Sequence, residues 1–264
     1  MNKRSIYKTI ANFNSGLRSL NLKNSFFENK NQFRVINYHS IGGSSLGDVN
    51  NMFTTTYETF KFHIDYLLSE LDIEIIGIDQ IHSPTKKIKV LITFDDGYLD
   101  NYTLVAPYLT ENKVPFSIFI ATNFVKNLHK SFMTPAQLIE LSKFSNIHIG
   151  SHGKSHVRLS ECSNAELLSE VRDSKLYLED LLGRGVSSIA YPYGNFDQRV
   201  ILHAKESGYL KGFTTRYDTN NLNRNPLALN RYNVESDNDV NIIKQKIHGD
   251  WDWYRFRNRD NGKY

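Results

Sequence analysis

Two neighbouring acidic residues that follow an apolar run are the first candidates for chemistry in this sequence. The run VLI at 90–92 leads into TFDDGY at 93–98, so Asp95 and Asp96 stand where a buried strand is expected to end. The following glycine permits a sharp turn. Side chains at a strand end diverge, so one aspartate could bind a metal ion while the other acts as a base. Taken alone, the segment fits an ordinary polar turn equally well.

A pair of histidines supplies the second candidate. The segment SHGKSH at 151–156 follows a predicted strand and places His152 and His156 four residues apart, close enough to converge on one metal ion. Imidazole and carboxylate ligands suit Zn²⁺ and similar transition ions. Two histidines and one aspartate, with open positions for water, are typical of a catalytic metal site. By itself, a polar loop would explain the pair equally well.

Two weaker signals share the same kind of position. The segment AYPYG at 190–194 fits a simple Pro-Gly turn, and His39 in NYHS at 37–40 could be structural. All four segments, however, come directly after predicted apolar strands. In barrel enzymes, this carboxyl edge of the strands is where active sites are built. The shared position therefore favours one common site over four unrelated turns.

Short β-rich apolar runs alternate with helical patterns along most of the chain. The predicted strands are Phe33–Tyr38, Ile73–Ile78, Ile88–Phe94, Pro115–Ile120, Ile147–Gly150, Ser187–Tyr191, Leu210–Thr214 and Leu227–Tyr232. The predicted helices are Tyr57–Ser69, Asn101–Glu111, Thr134–Leu141, Ser163–Leu182, Asp197–Ser207 and Asp239–His248. Seven or eight such units predict an α/β protein that forms a barrel in a single domain.

Composition excludes several classes of protein. The 264 residues are 40% apolar and 23% charged, as expected for a globular chain. A net charge of +4 is too weak to predict a nucleic-acid partner, and a single cysteine, Cys162, excludes an internal disulfide. We find no signal-peptide pattern or membrane-spanning run and therefore expect a cytoplasmic protein.

Both ends of the chain carry basic and amphipathic segments. The N-terminal segment predicts a helix with an apolar stripe, which we expect to pack on the domain; weak association with an anionic membrane surface is the alternative. Its stripe consists of Ile6, Ile10, Phe13, Leu17 and Leu20. The tail from Trp251 to Tyr264 is aromatic and basic, and we expect it to dock on the barrel. The polar loop Gly42–Asn51 is long enough to be functional.

The motifs resemble those of the polysaccharide deacetylase family, carbohydrate esterase family 4, which includes the nodulation-type chitooligosaccharide deacetylases. The resemblance rests on TFDDG at 93–97, on His152-x-x-x-His156 and on the Pro-Tyr motif within 191–194, and it covers about Phe33 to Val234. It is closest to a branch whose active-site histidine belongs to an N-terminal Tyr-His motif, here at 38–39. That branch includes enzymes that deacetylate poly-N-acetylglucosamine. The resemblance implies an irregular (β/α)7 barrel.

The resemblance also implies a role for each candidate residue. It implies one divalent metal ion, expected to be Zn²⁺ with Co²⁺, Ni²⁺ or Mn²⁺ as alternatives, held by Asp96, His152 and His156. Asp95 would be the general base, His39 the general acid, and the backbone N–H of Tyr193 a donor to the oxyanion. The products would be acetate and a free amino sugar.

The sequence departs from the family pattern in three places. Gly153 stands where members usually have a serine or threonine that steadies the metal-binding loop. The arginine that precedes the Pro-Tyr motif in many members is absent, and we expect Arg231 to orient and tune Asp95 instead. The usual C-terminal Leu-x-His motif is not seen, and His248 lacks its context. For this reason the acid role is assigned to His39.

Three segments and three functions follow from this reading. We expect a basic helical extension at 1–32, the catalytic barrel at 33–234, and a C-terminal helix with an aromatic and basic tail at 235–264. The expected function is removal of N-acetyl groups from an amino sugar, in a saccharide precursor of a surface glycan. The alternatives are a metal-dependent hydrolase of another small carbon–nitrogen bond, such as a cyclic amide, and a degenerate glycan-binding protein. The sequence leaves the oligomeric state open.

Overall fold

The computed structural model describes residues 3–20, 32–43 and 50–256. Most of the predicted loop Gly42–Asn51 lies outside these ranges, as does the last part of the predicted tail with Arg257 and Arg259.

A curled, mainly parallel sheet forms the centre of the molecule. In chain order, the strands are β1 (Gln32–Tyr38), β2 (Ser40–Ile41), β3 (Thr54–Thr55), β4 (Ile73–Ile75), β5 (Ile88–Phe94), β6 (Phe116–Ile120), β7 (Ile147–Ser151), β8 (Ser188–Ala190), β9 (Lys211–Phe213), β10 (Asn220–Asn221) and β11 (Tyr232–Asn233). Strands β2 and β3 form a separate small sheet, and the others belong to the main sheet. The order in the main sheet is β10-β1-β5-β6-β7-β8-β9, with β4 paired to β5 and β11 to β1. Its pairings are parallel except that of β10 with β1.

The chain after β9 joins the two ends of this sheet. Leu229 forms a parallel bridge with Phe213 of β9, and three residues later Tyr232 pairs with Ile36 of β1. The sheet thereby closes on itself, which confirms the predicted irregular (β/α)7 barrel.

The predicted strand Leu227–Tyr232 is shorter than expected in this closing segment. It is reduced to the bridge at Leu229 and the two-residue β11. The reason lies in the side-chain amide of Asn220, which donates to the carbonyl of Asn230 at 3.0 Å and accepts from its N–H at 2.7 Å. A side chain thus replaces the strand partner at this point.

Helices surround the barrel. The α-helices are α1 (Lys3–Ser19), α2 (Tyr57–Ser69), α3 (Ala106–Glu111), α4 (Thr122–Lys126), α5 (Pro135–Leu141), α6 (Asn164–Leu168), α7 (Ser174–Leu182), α8 (Gln198–Glu206) and α9 (Val240–Ile247). Short 3₁₀ turns occupy Ile78–Gln80, Leu159–Glu161, Pro192–Gly194 and Asp252–Phe256. Five helices begin with a residue whose side chain accepts a backbone hydrogen bond, which satisfies an N–H group left without a helical partner. These N-cap residues are Thr56, Thr134, Ser163, Asp197 and Asp239.

Two of the predicted helices contain a π-helical turn. The predicted helix Asn101–Glu111 begins with a π turn at Asn101–Val105, and Ser163–Leu182 is interrupted by a second at Ser169–Asp173. The longer helix still ends where predicted, at Gly183 with a left-handed φ of 64°. Such turns are rare and occur frequently near functional sites.

Strand alternation divides the core into two apolar clusters. One fills the space between the sheet and the helices, and a smaller one includes Val35, Leu91, Phe119 and Phe213. Because side chains alternate along a strand, the residue two positions after each of these apolar residues lies on the same side of the sheet. The barrel interior therefore changes from apolar in the middle to polar at the carboxyl ends of the strands.

The N-terminal helix α1 packs on the outside of this core, as expected, but not through the predicted apolar stripe, because Ile6, Phe13 and Leu20 are exposed. The packed side instead carries Tyr7 and Ala11 together with basic residues that pair with acidic ones on the barrel. Arg4 pairs with Glu235 and Asp237, and Arg18 lies 3.0 Å from a carboxylate oxygen of Asp250. Ala11 is fully buried. In the described ranges, every helix is too short or too polar to cross a bilayer.

Gly212 provides a test of the barrel closure. A Cβ atom at this position would lie 2.4 Å from Tyr191 Oη and 2.6 Å from Leu227 O, in the closing segment. We expect Gly212→Ala to lower the free energy of unfolding by about 1–3 kcal/mol, because overpacking forces neighbouring atoms apart. Urea unfolding would measure it. Gly185→Ala is the control, since its nearest contact would be Glu179 Oε1 at 3.8 Å; equal losses in both variants would contradict the prediction.

His63 makes the stability of the fold depend on pH. It is buried, its Nδ1 accepts from the Tyr38 hydroxyl at 3.1 Å, and its Nε2–H donates to Asn238 O at 3.0 Å. Burial lowers the pKa of His63 from 6.5 to about 4. The unfolded chain therefore binds the proton more tightly, and stability present above pH 6.5 is lost as the pH falls toward 4.

We expect His63 to account for about 2 kcal/mol of lost stability between about pH 7.5 and about pH 5. Urea unfolding of His63→Gln at both pH values should show a shallower dependence than the wild-type chain, because the titrating group is gone. The exposed His82 provides the control His82→Gln, which should keep the wild-type dependence. An unchanged dependence in His63→Gln would contradict the prediction.

Candidate active site

The structure brings the sequence-predicted site residues to the carboxyl ends of the strands. Asp95 and Asp96 follow β5, His152 follows β7, and His39 follows β1. Arg231 precedes β11 in the segment that closes the barrel. Parallel strands place all these ends at one mouth of the barrel, so residues far apart in sequence meet there.

The carboxylate of Asp95 accepts three hydrogen bonds. Its two carboxylate oxygens receive Nη1 and Nη2 of Arg231 at 2.7 and 2.8 Å, and Oδ2 also accepts from Asn37 Nδ2 at 3.0 Å. Asp95 is 2% exposed and Arg231 is fully buried. The bidentate contact fixes the plane of the carboxylate. Sequence analysis assigned no role to Asn37, although strand alternation places it on the same side as His39.

The same contacts control the charge of Asp95. Burial alone would raise its pKa, but the Arg231 guanidinium, with smaller contributions from His152 and His39, holds the pKa well below its usual range. The carboxylate is therefore ionised at neutral pH and able to accept a proton.

Each nitrogen of the Arg231 guanidinium donates at least one hydrogen bond. Its Nε donates to Thr214 O at 2.9 Å, and Nη1 also reaches Asn37 Oδ1 at 2.8 Å. The rings of Phe119 and Phe213 lie 5.7 and 5.9 Å from the guanidinium carbon. A buried guanidinium with satisfied donors is a rigid partner for a carboxylate.

Three side chains next to Asp95 form a group able to hold a metal ion. One ligand atom from each of Asp96, His152 and His156 lies within 4.8 Å of the other two. The Nε2 atoms of His152 and His156 lie 3.4 and 3.2 Å from Asp96 Oδ1. Ligands bound at 2.0–2.2 Å to a tetrahedral ion stand roughly 3.4 Å apart. The spacing therefore fits a small divalent cation.

The hydrogen bonds of these candidate ligand atoms also indicate a metal site. Asp96 Oδ1 is buried and has no hydrogen-bond partner among the described residues, which is costly unless another group completes the site. His152 Nδ1 lies 2.8 Å from the carbonyl of Ala190, so it carries the proton and leaves the Nε2 lone pair toward Asp96. Burial lowers the pKa of His152 to about 4, which keeps the imidazole neutral, as metal ligation requires.

Two of these candidate ligands have a strained backbone conformation. Asp96 has a φ of 74° and His156 a φ of 55°, both in the left-handed region that residues other than glycine rarely adopt. Gly97 continues the turn with a φ of 83°. Such conformations persist where the surrounding structure enforces them, and they cluster at functional sites.

His39 approaches Asp95 from the other side. Its Nε2 lies 3.9 Å from Asp95 Oδ2, the same distance that separates His152 Nε2 from that oxygen. The ring packs on Phe53 with centroids 4.9 Å apart. The carbonyl of His39 accepts from Asn101 Nδ2 at 2.9 Å, inside the first π turn. Asn101 thus holds the His39 backbone, a role that no sequence signal indicated.

Tyr193 lies at the open side of the cluster. The residue is 54% exposed, and the centroid of its ring lies 4.7 Å from that of His156. Its backbone has a φ of 60° within the 3₁₀ turn Pro192–Gly194. Because this turn makes its first bond through the N–H of Gly194, the N–H of Tyr193 precedes it and has no partner within the turn.

One buried carboxylate near the histidines escaped sequence reasoning. Glu170 is 8% exposed, and its Oε2 accepts the backbone N–H groups of Lys154 at 2.9 Å and Ser155 at 2.8 Å. The available signal was its place on the otherwise apolar face of its helix, beside Leu167 and Val171.

Comparison with known proteins gives one family match and several relatives. Residues 82–211 match the family model described as polysaccharide deacetylase. Over 207 residues the chain is 28% identical to the Bacillus subtilis protein YxkH, whose name places it among the polysaccharide deacetylases, and the match covers 76% of this chain and 70% of that protein. Over 254 residues it is 24% identical to a poly-beta-1,6-N-acetyl-D-glucosamine N-deacetylase of Staphylococcus aureus, with 85% and 84% covered.

A solved structure shares the fold. The Streptococcus pyogenes deacetylase PplD, determined in complex with acetate, superposes with a TM-score of 0.74 at 22% identity, over 82% of this chain and 98% of that one. Together, the family match and the relatives show that the chain is similar to polysaccharide deacetylases, and PplD has the same barrel fold.

Proposed function

We propose that this protein is a metal-dependent hydrolase that removes N-acetyl groups from an amino sugar in a saccharide, with residues 33–234 as the catalytic unit. The observation that carries the proposal is the position of Asp95, held ionised by Arg231, directly beside the group Asp96, His152 and His156. A carboxylate base next to an Asp-His-His group is suited to hydrolysis of an acyl bond. The name of the Staphylococcus aureus relative supports an N-acetylated glucosamine polymer as the substrate class.

Asp96, His152 and His156 would hold the metal ion, for which we propose Zn²⁺, because two imidazoles and one carboxylate suit it. When bound, such an ion polarises the acetamide carbonyl and lowers the pKa of a neighbouring water.

Asp95 and His39 would divide the proton transfers between them. Asp95 accepts a proton from the attacking water as its oxygen bonds to the acetamide carbon. His39 donates a proton to the sugar nitrogen as the carbon–nitrogen bond breaks, so that acetate and a free amine leave. The N–H of Tyr193 donates to the oxyanion that forms between these two steps. Arg231 keeps Asp95 ionised and oriented throughout.

Substitution of the proposed base, Asp95, should slow hydrolysis without changing metal binding. We expect Asp95→Asn to bind Zn²⁺ as the wild type does but to lose about 10²- to 10⁴-fold in kcat, because the amide cannot accept the proton. His152→Ala should lose both activity and the metal. Acetate release from an N-acetylglucosamine oligomer and the zinc content of purified protein are the two measurements.

The outcome of this pair distinguishes the alternatives. Full activity in Asp95→Asn would remove Asp95 as the base. Wild-type protein that binds zinc yet releases no acetate from any N-acetylated saccharide would contradict the proposed substrate class. A urea unfolding curve of Asp95→Asn is the control, because the exchange weakens the partner of a buried arginine.

The acid role of His39 can be tested through the leaving group. We expect His39→Gln to reduce kcat by about 10²- to 10³-fold on an N-acetylated sugar, whose amine must be protonated to depart. On 4-nitrophenyl acetate the loss should be small, because nitrophenolate leaves without a proton. Asp95→Asn should impair both substrates and is the matched comparison. Equal losses of His39→Gln on the two substrates would remove His39 as the acid.

A further inference from the structure

The segment 152–156, here called the histidine loop, depends on a partner outside the metal group. Its backbone contains two left-handed residues, Gly153 with a φ of 72° and His156 with a φ of 55°. Between them, the N–H groups of Lys154 and Ser155 point to a single carboxylate oxygen, Glu170 Oε2, at 2.9 and 2.8 Å. This oxygen therefore satisfies both donors at the middle of the loop.

The carbonyl groups of the same loop are held from the opposite direction. Thr122 N donates to Gly153 O at 3.2 Å, and Asn123 N donates to Lys154 O at 2.8 Å, both from the start of α4. Within the described ranges, Glu170 is the acceptor that holds the N–H side of the loop at 154–155. Backbone N–H groups near a buried site are costly if they remain unbonded, so removal of Glu170 would favour another loop conformation.

Gly153 lies directly beside the carboxylate of Glu170. A Cβ atom at Gly153 would lie 3.4 Å from Glu170 Oε2 and 3.6 Å from Pro192 Cγ, in a backbone conformation that already favours glycine. The loop therefore receives its support from a distant carboxylate and not from a side chain at 153.

The helix that contains Glu170 places the carboxylate of this residue against the histidine loop. Glu170 lies in the π turn Ser169–Asp173, and four residues later Ser174 Oγ accepts from Ser151 Oγ at 2.8 Å. Ser151 Oγ in turn accepts the N–H of Gly153 at 3.1 Å. One helix face therefore holds both the beginning and the middle of the histidine loop.

We propose that Glu170 is a positioning residue for the metal site: by accepting two N–H groups of the histidine loop, it sets the ligand geometry of His152 and His156. The inference rests on the proposed metal-dependent function. Partners that orient metal ligands typically contribute 10- to 100-fold to metal affinity when exchanged.

The test compares Zn²⁺ affinity in a set of variants of the full chain, measured on metal-stripped protein by competition with a chromophoric chelator. We expect Glu170→Met to raise the Kd for Zn²⁺ by about 10- to 100-fold, and Glu170→Gln to stay within about threefold of wild type because its amide oxygen still accepts. Glu166→Met is the matched control, since Glu166 lies on the same helix and bonds the cap residue Ser163.

Co²⁺ absorption spectra add a readout that a purely structural role would leave unchanged. The visible bands of bound Co²⁺ should shift in Glu170→Met and match wild type in Glu170→Gln and Glu166→Met. A Kd in Glu170→Met within about threefold of wild type, with unchanged bands, would overturn the inference.

Two further outcomes also decide the matter. Should Glu170→Met fail to fold, Glu170→Asp takes its place: the carboxylate, shortened by one methylene, cannot reach both N–H groups, and an unchanged Kd would overturn the inference. A wild-type chain that binds no Zn²⁺ would overturn the proposed function as well, whereas tight wild-type binding with insensitive variants would overturn the role of Glu170 alone.

Discussion

The buried ion pair between Arg231 and Asp95 is the interaction on which the rest of the arrangement depends. Arg231 belongs to the segment that closes the barrel and Asp95 to the end of β5, so one contact joins the closure to the candidate base. Removing one partner of such a pair typically costs about 3–5 kcal/mol, since the other charge stays buried. Loss of either charge would therefore lower the stability of the barrel as well as disturb the site.

Strand alternation explains why polar residues can meet inside an otherwise apolar barrel. The middle of the interior is filled by rings such as Phe119 and Phe213, and these rings also flank the guanidinium of Arg231. Water is excluded below the site, which strengthens the electrostatic contacts above it. Above Asp95 the side chains become more accessible, as with Tyr193. Because the polar layer lies on a closed apolar layer, a substrate can approach it only from the mouth of the barrel.

Much of this could be predicted from sequence, for identifiable reasons. Strand β5 has the predicted bounds, because a continuous apolar run buried on both faces leaves little ambiguity. The chemistry-bearing motifs were visible because they follow such runs. The closing segment was not predictable, because the side chain of Asn220 replaces a strand there. Glu170 was missed because its partners are backbone N–H groups, which look the same in every sequence.

The two π turns have a consequence for comparing relatives. Each adds one residue to its helical segment, the first at the start of a helix and the second between two helices, and each carries a side chain, Asn101 or Glu170, that holds an active-site loop. A relative shorter by one residue at either place would turn the following helix by about 100° relative to the loop. Single-residue gaps in an alignment at these two helices therefore mark a change in how the catalytic loops are held, although no motif residue differs.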